Sequence, residues 1–365
     1  MKCFTPMVRY YCDIPKESED EKIFQRIIPR AKVFENMREN ENYLTRIQDK
    51  NYELEKQGSK YRYQLIPCRH CFACQLKYSA EWASRLMWEA ERYEHKYFLT
   101  LTYDEEHLPM YSEMDYTDKD GYKRHYENDG TWTGTLKEKD VQKFLNTLRK
   151  YYERRGIKDI KYFYCGEYGS RGRPHYHMIL FGAPLDIKQL YDGHIDPKHK
   201  KFHFKSKEID KWWGKGIVDI GEVEFNNCAY VARYCMKKLS LENDDILYAE
   251  QGKEKEFIRM SRRPAIGMRY YQEHKEDIYK NDEVIQRTIK GKTSSFKPPK
   301  AFDKKFKEEF QEWYEQIKQS RLECAERDRL YKKELYKGIT DLEKLQREAE
   351  KTIEKSKMLK RIDID

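Results

Sequence analysis

The longest apolar stretch in this chain, Met178 to Leu185, is only eight residues even with Gly182 and Pro184 counted. Any core must therefore be assembled from short strands and amphipathic helices packed on one another. Nothing spans a bilayer, which takes about 20 apolar residues. The opening MKCFTPMVRY lacks the apolar segment of a signal peptide. Charged residues make up 38% of the chain and hydrophobic ones 38%, the latter figure raised by 30 tyrosines. Enough apolar material remains for one sizeable core with much solvated surface. The 365 residues allow one large domain or two smaller ones. Lys and Arg (73) exceed Asp and Glu (64), an excess of +9 that is compatible with a nucleic-acid partner. Nine cysteines, an odd number without an export signal, point to a reducing compartment, where clustered cysteines read as metal ligands before disulfides.

Residues 1 to about 66 are polar and read as irregular. From Ser79 to about His95, Trp82, Leu86, Ala90 and Tyr93 recur at helical spacing. Tyr97–Tyr103 alternates as a strand, and the polar residues 104–135 read as a long loop or insertion. Thr135–Asp140 opens a helix whose apolar face is Val141, Phe144, Leu145, Leu148 and Tyr152, stopping at Gly156. Strands follow at Tyr162–Tyr164, His175–Phe181 and Ile217–Phe225, then a helix at Asn227–Leu239. After Pro299 the chain is charged and helical, with Phe302, Phe306, Phe310, Trp313 and Ile317 in one stripe, continued by Leu342, Leu345, Ala349 and Ile353. The alternation of strands and helices in the middle suggests α+β or a mixed sheet with helices on one face. The expected organisation is a Cys-rich segment with a helix (1–95), a central domain (96–295) and a helical extension (296–365). No internal repeat is visible.

The strongest chemical signal is Arg173-Pro-His175-Tyr-His177-Met-Ile-Leu-Phe181. A strand alternates sides, so His175 and His177 project from one face and two neutral imidazoles can share a divalent metal. A carboxylate completes a compact three-ligand set. Glu167, eight residues upstream across a Gly-rich turn, can return to that face. The second signal is Tyr230-Val-Ala-Arg-Tyr234-Cys-Met-Lys237. On a helix the two tyrosines lie one turn apart on one face, each with a cation three residues on. A phenolate so favoured can attack phosphorus. Tyr93/Tyr97, Tyr122/Tyr126 and Tyr164/Tyr168 share that spacing, so the pair alone reads as packing.

Taken in order, Phe98-Leu-Thr-Leu-Thr-Tyr103, Pro174-His-Tyr-His177 and Tyr230-Val-Ala-Arg-Tyr-Cys-Met-Lys237 resemble the three motifs of HUH endonucleases of the two-tyrosine class. With Pro67-Cys-x-x-Cys-x-x-Cys74 before a Trp-bearing helix, the layout is most similar to replication initiators of small single-stranded DNA phages, gokushovirus-type microviruses above all. The resemblance covers about Cys68 to Lys238. It implies a central antiparallel sheet with the histidine strand in the middle and the tyrosine helix nearby. It also implies Mg2+ or Mn2+ on His175, His177 and Glu167. One tyrosine attacks single-stranded origin DNA and leaves a 5′-phosphotyrosyl link and a 3′-OH for a host polymerase. The second tyrosine cleaves the regenerated origin so that the displaced strand is circularised, and Lys237 stabilises the transition state. No phosphate-binding Gly-x-x-x-x-Gly-Lys loop occurs, so unwinding falls to a host helicase. The expected location is the cytoplasm of an infected bacterium. The insertion 104–135 departs from the pattern.

Cys68, Cys71 and Cys74 suit a soft metal, most simply Zn2+. Cys3, Cys12 or His70 could supply a fourth ligand, and the resemblance to phage proteins with an early cysteine favours Cys3. Cys165, Cys228, Cys235 and Cys324 read as buried small residues. Three other classes compete. A mononuclear metal oxygenase would use the two histidines and Glu167 but needs more strands and leaves the tyrosines idle. A non-catalytic, zinc-stabilised DNA-binding protein would make all of these residues structural. A relaxase or single-strand transposase shares the tyrosine chemistry.

Overall fold

The structure, a computed structural model, describes residues 7–12, 25–28, 43–68, 71–111, 113–118, 120–127, 134–195, 201–237, 244–287, 293–335 and 350–351. The chain divides into two compact units, one of residues 1–77 with 320–363 and one of residues 78–319 with 364–365.

In the first unit, β1 (Met7–Cys12), β2 (Gln25–Ile28) and β3 (Tyr61–Ile66) form an antiparallel sheet in the order β2-β1-β3, and helix α1 (Tyr43–Lys56) leads into β3. These elements correct the expectation of irregular chain before residue 66. The alternation is masked because tyrosines and arginines take strand positions. Tyr10 stacks on Tyr61 at 5.1 Å and packs at a tilt against Tyr63 at 4.8 Å, and such aromatic cross-strand pairs stabilise a sheet as aliphatic ones do. The Asn51 amide of α1 accepts from the Tyr63 N–H at 2.7 Å and donates to the Tyr63 carbonyl at 3.0 Å, which satisfies an edge of β3.

Helix α2 (Phe72–Ala90) crosses the boundary between the units at Lys77. In the second unit follow β4 (Lys96–Thr102), the hairpin β5 (Glu113–Thr117) and β6 (Lys123–Glu127), α3 (Glu138–Glu153), β7 (Lys161–Tyr168), β8 (Pro174–Phe181), β9 (Leu190–Ile195) and β10 (Phe202–Ser206). Next come α4 (Lys207–Trp213), β11 (Val218–Gly221), α5 (Phe225–Lys237), α6 (Asp244–Ala249), β12 (Phe257–Met260), α7 (Met268–Asn281), the pair β13 (Val284–Arg287) and β14 (Thr293–Phe296), α8 (Lys300–Glu309) and α9 (Gln311–Leu335). The central sheet has seven strands in the order β12-β7-β8-β4-β11-β10-β9, every neighbouring pair antiparallel.

The expected α+β class with a central antiparallel sheet holds. Helices, however, cover both faces rather than one. On one face α3 and α4 bring Val141, Phe144, Leu148, Tyr152 and Trp213 against Leu99, Leu101, Met178 and Leu180. On the other, α2 and α5 bring Leu86, Ala90, Val231 and Ala232 against Phe98, Phe163, Ile179 and Phe181. With both faces covered, β8 reads as a near-continuous apolar run instead of an alternating one. A third cluster gathers Trp88, Tyr271, Tyr279, Phe302, Phe306 and Ile317 beside this layer, which absorbs the aromatic stripe after Pro299.

A buried ion pair ties the second face together. Lys161 Nζ donates to Glu89 Oε1 at 2.8 Å, and Glu89 Oε2 accepts from the Gly267 N–H at 2.7 Å. Element ends follow local chemistry. Glu138 and Asp140 sit in the first turn of α3, where they complement its dipole, and Gly156 turns the chain with φ +80°. Ser206 caps α4, and Gly214 ends it in the left-handed region. Several boundaries shift from expectation. Helix α2 starts earlier, at Phe72, and β11 stops at Gly221 because the Glu224 carbonyl already accepts from the Cys228 N–H, which opens α5 at Phe225. The insertion 104–135 contains the β5–β6 hairpin, closed where Asp118 accepts from the Asp120 and Tyr122 N–H groups. Leu342, Leu345, Ala349 and Ile353 lie outside the described residues.

Candidate active site

Strand β8 is paired along its length with β4 on one side and β7 on the other. His175 and His177 take alternate positions on it and share the face that carries α2 and α5. Glu167 stands directly across from His175 in the β7–β8 ladder, so the side chain expected to return across the turn does so through strand register. The result is a compact cluster whose ligand atoms lie within 4.8 Å of one another.

Glu167 Oε1 is the hub. It lies 2.7 Å from His175 Nε2 and 2.9 Å from His177 Nε2, and it accepts from the Tyr230 hydroxyl at 3.2 Å. The Tyr230 ring meets His177 edge-on at 5.2 Å. Each imidazole is anchored at its other nitrogen. His175 Nδ1 lies 3.3 Å from the Arg173 carbonyl, which can only accept, so that nitrogen carries the proton. His177 Nδ1 lies 3.1 Å from Thr100 Oγ1, and its ring stacks on Phe98 at 5.4 Å. Both Nε2 atoms thereby face the carboxylate, and His175 donates through Nε2 to Glu167 Oε1.

Glu167 and His177 are 1% and 2% exposed, so each ionic charge here must be compensated. Burial alone pushes the Glu167 carboxyl up, but the hydrogen bond from His175 and the proximity of His177 outweigh it and hold the group at about 2. Burial favours neutral His177 and lowers its pKa. At His175 burial acts the same way, but the Glu167 carboxylate overcomes it and raises the pKa. The cluster therefore offers one carboxylate and at least one neutral imidazole, the donor set that divalent ions take. Glu167 Oε2 and His177 Nε2, both buried, have no hydrogen-bond partner among the described residues; the 2.9 Å approach of the latter to Oε1 lacks hydrogen-bond geometry. Two buried polar atoms without a hydrogen-bond partner, in a cluster whose ligand atoms lie within 4.8 Å of one another, fit a metal ion.

Tyr230 is 6% exposed and comes from α5. Tyr234 and Lys237 continue the same helix, four and seven residues on, and share its face by spacing. Their side chains lie outside the described residues. Phe98, Thr100 and the Arg173 carbonyl are contributors that sequence reading missed. Thr100 pairs with His177 and Thr102 with His175 across the β4–β8 ladder. A threonine alternation in the right strand was the available signal, but strand pairing is not written in a single sequence.

The cysteine cluster lies in the first unit. Cys68, Cys71 and Cys74 bring their sulfurs within 4.8 Å of one another, and the Cys71 N–H donates to Cys68 Sγ at 3.2 Å. Cys3 and His70 lie outside the described residues, as does the side chain of Cys12. Cys165 and Cys228 are fully buried as expected, whereas Cys324 is exposed because the charged helix α9 presents it to solvent.

Comparison with known proteins places these features in context. Residues 96–239 match the family model for replication-associated proteins of the ORF2 type. The chain is 37% identical over 266 residues to the replication-associated protein ORF2 of Spiroplasma virus 4, covering 72% of this chain and 74% of that one. It is 27% identical over 222 residues to the replication-associated protein VP4 of Bdellovibrio phage phiMH2K, covering 60% of this chain and 62% of that protein. It is 28% identical over 223 residues to the replication-associated protein ORF4 of Chlamydia phage 1, covering 60% of this chain and 49% of that protein. The match thus spans less than two thirds of the latter two relatives. No solved structure matches the chain.

Proposed function

The chain belongs to the family of phage replication-associated proteins, and from that membership we propose that it is a rolling-circle replication initiator of the HUH type, nicking single-stranded origin DNA through a tyrosine and later rejoining the displaced strand. The observation that carries this reading is the convergence of His175, His177 and the Tyr230 hydroxyl on one buried oxygen of Glu167.

Glu167, His175 and His177 would hold Mg2+ or Mn2+, whose chemistry there would be polarisation of the scissile phosphate. Tyr230 supplies the nucleophile. Its oxygen forms the bond to phosphorus, the phenolic proton leaves, the bond from phosphorus to the 3′ oxygen breaks, and that oxygen takes up a proton. The products are a 5′-phosphotyrosyl link and a free 3′-OH. Glu167 fixes the direction of the phenol by accepting its hydrogen bond. Thr100 and the Arg173 carbonyl hold the two imidazoles at Nδ1 and leave Nε2 for ligation. Phe98 and Tyr230 shield His177 from water. Tyr234, one turn further on, is the second nucleophile, which cleaves the regenerated origin while the first tyrosine holds the DNA end. Lys237 stabilises the charge that develops at the phosphate. A host polymerase extends the 3′-OH and a host helicase opens the duplex, in the cytoplasm of the infected cell. No helix among the described residues is long and apolar enough to cross a membrane.

The test mixes the full chain with Mn2+ and single-stranded oligonucleotides tiling its own replicon, with products run on denaturing protein gels. The expected result is a covalent protein–DNA adduct that disappears in the Tyr230→Phe/Tyr234→Phe double variant and in His177→Ala. A folded, metal-binding protein that forms no adduct on any oligonucleotide refutes the proposal.

A further inference from the structure

We propose that Cys68, Cys71 and Cys74 form a zinc site that fixes the corner between β3 and the first turn of α2, separate in chemistry and in sequence from the histidine cluster. Cys68 follows β3 by two residues, Cys71 immediately precedes α2, and Cys74 lies in the first turn of that helix. The three sulfurs already lie within 4.8 Å of one another. Tetrahedral zinc with bonds of about 2.3 Å sets neighbouring sulfurs about 3.8 Å apart, so only a small closure is needed. None of the three is in a disulfide.

Two features of this corner suit a bound cation. The Cys71 N–H donates to Cys68 Sγ at 3.2 Å. A thiol sulfur is a weak acceptor and a thiolate a good one, so this bond strengthens when Cys68 is deprotonated and metal-bound. Cys71 and Cys74 occupy the start of a helix of 19 residues, whose unsatisfied N–H groups and dipole favour negative charge. Three thiolates so close repel one another, and a divalent cation is what removes that repulsion. Soft sulfur donors select zinc over the hard ions suited to the carboxylate–imidazole cluster.

Strand register narrows the choice of a fourth ligand. Met7 pairs with Ile66, next to the cluster, whereas Cys12 pairs with Tyr61 at the opposite end of the ladder. Five residues of strand separate the two ends by about 17 Å, which removes Cys12 from reach. Cys3 is four residues from Met7, a span of at most about 14 Å, so the chain can deliver it.

The site has a mechanical role. The first unit buries little apolar surface between β1 and β3, with Val8 the only fully buried side chain described in those strands. Binding free energy at a structural zinc site is folding free energy, and it ties the end of β3 to the first turn of α2.

The test uses the full chain purified without chelator. Zinc is measured by mass spectrometry in the wild type, in Cys71→Ser, in Cys74→Ser and in the Glu167→Ala/His177→Ala double variant. The wild type is also reloaded with Co2+ and its absorption recorded. The expected result is stoichiometric zinc that survives the double variant, is lost with either cysteine, and gives sulfur-to-cobalt charge-transfer absorption. Zinc that follows the histidine cluster instead, an iron–sulfur chromophore, or cobalt bound without sulfur absorption overturns the proposal. If a cysteine variant does not fold, the wild-type cobalt spectrum decides. The adduct assay is read separately, so loss of one reading leaves the other intact.

Discussion

Thr100→Val isolates one hydrogen bond at the histidine cluster. The substitution keeps shape and removes the hydroxyl 3.1 Å from His177 Nδ1. In the metal-free protein the imidazole has an escape. Its proton can move to Nε2, where the nearby Glu167 carboxylate stabilises it by charge although the 2.9 Å approach lacks hydrogen-bond geometry, so folding stability changes by only about 1 kcal/mol, the range of a single net hydrogen bond. With metal bound that escape closes, because Nε2 must stay deprotonated to ligate and the Nδ1 proton is left in a 2% exposed site with no acceptor. The cost therefore falls on the metal complex. Loss of such an outer partner weakens binding by about 10- to 100-fold, or about 1.4 to 2.8 kcal/mol. Calorimetric titration with Mn2+ measures the affinity, and urea unfolding of the metal-free protein measures the stability. Expected is a weakened Mn2+ affinity at a little-changed urea midpoint, with Thr100→Ser near wild type. Unchanged affinity in Thr100→Val, or a fall in stability with no fall in affinity, refutes the assignment of Nδ1 as the anchored nitrogen.

Two further outcomes are expected. Lys161→Met leaves the Glu89 carboxylate buried without its cation and should destabilise the second unit by about 3–5 kcal/mol, while adding Glu89→Gln, which keeps an acceptor for the Gly267 N–H, should recover most of that loss in urea titrations. The Arg269 guanidinium, donating to Asp159 Oδ1 at 2.8 Å, holds the Asp159 carboxyl below the usual range. Since its folded pKa lies below the unfolded value of about 3.9, its contribution is complete above that pH and fades as pH falls through the depressed value. Arg269→Met should therefore flatten the acid limb of stability below about pH 4, and an unchanged limb refutes the link.

The cluster was legible because strand chemistry is periodic. The step of two between His175 and His177 fixes a shared face whatever surrounds it, and the length of the Gly-rich turn allowed Glu167 to return. The tyrosine pair was legible only by its order relative to the histidines, since other pairs in the chain share its spacing. What stayed hidden depends on pairing and exposure. Thr100 matters through its partner in a neighbouring strand. β9 and β10 close the edge of the sheet, where Tyr191, Ile195 and Phe202 face solvent and no apolar alternation marks them. β12 is four residues long and half-buried throughout. The strands of the first unit carry tyrosine and arginine where a core strand carries valine and isoleucine. The placement of helices on both faces of the sheet follows from how β4, β8 and β7 are joined, which no local pattern encodes.

The two strands that carry Glu167, His175 and His177 are joined by a short turn, but β4, which anchors His177, is separated from β7 by the whole of residues 103–160. Spacings inside the cluster are nevertheless set by rungs of main-chain hydrogen bonds between β4, β8 and β7, not by the lengths of the connections. Chain can therefore be exchanged at the tip of the β5–β6 hairpin, between Thr117 and Lys123, without disturbing those rungs. That tip is a natural socket for grafted sequence: recognition could be re-engineered there while the chemical machinery stays in register.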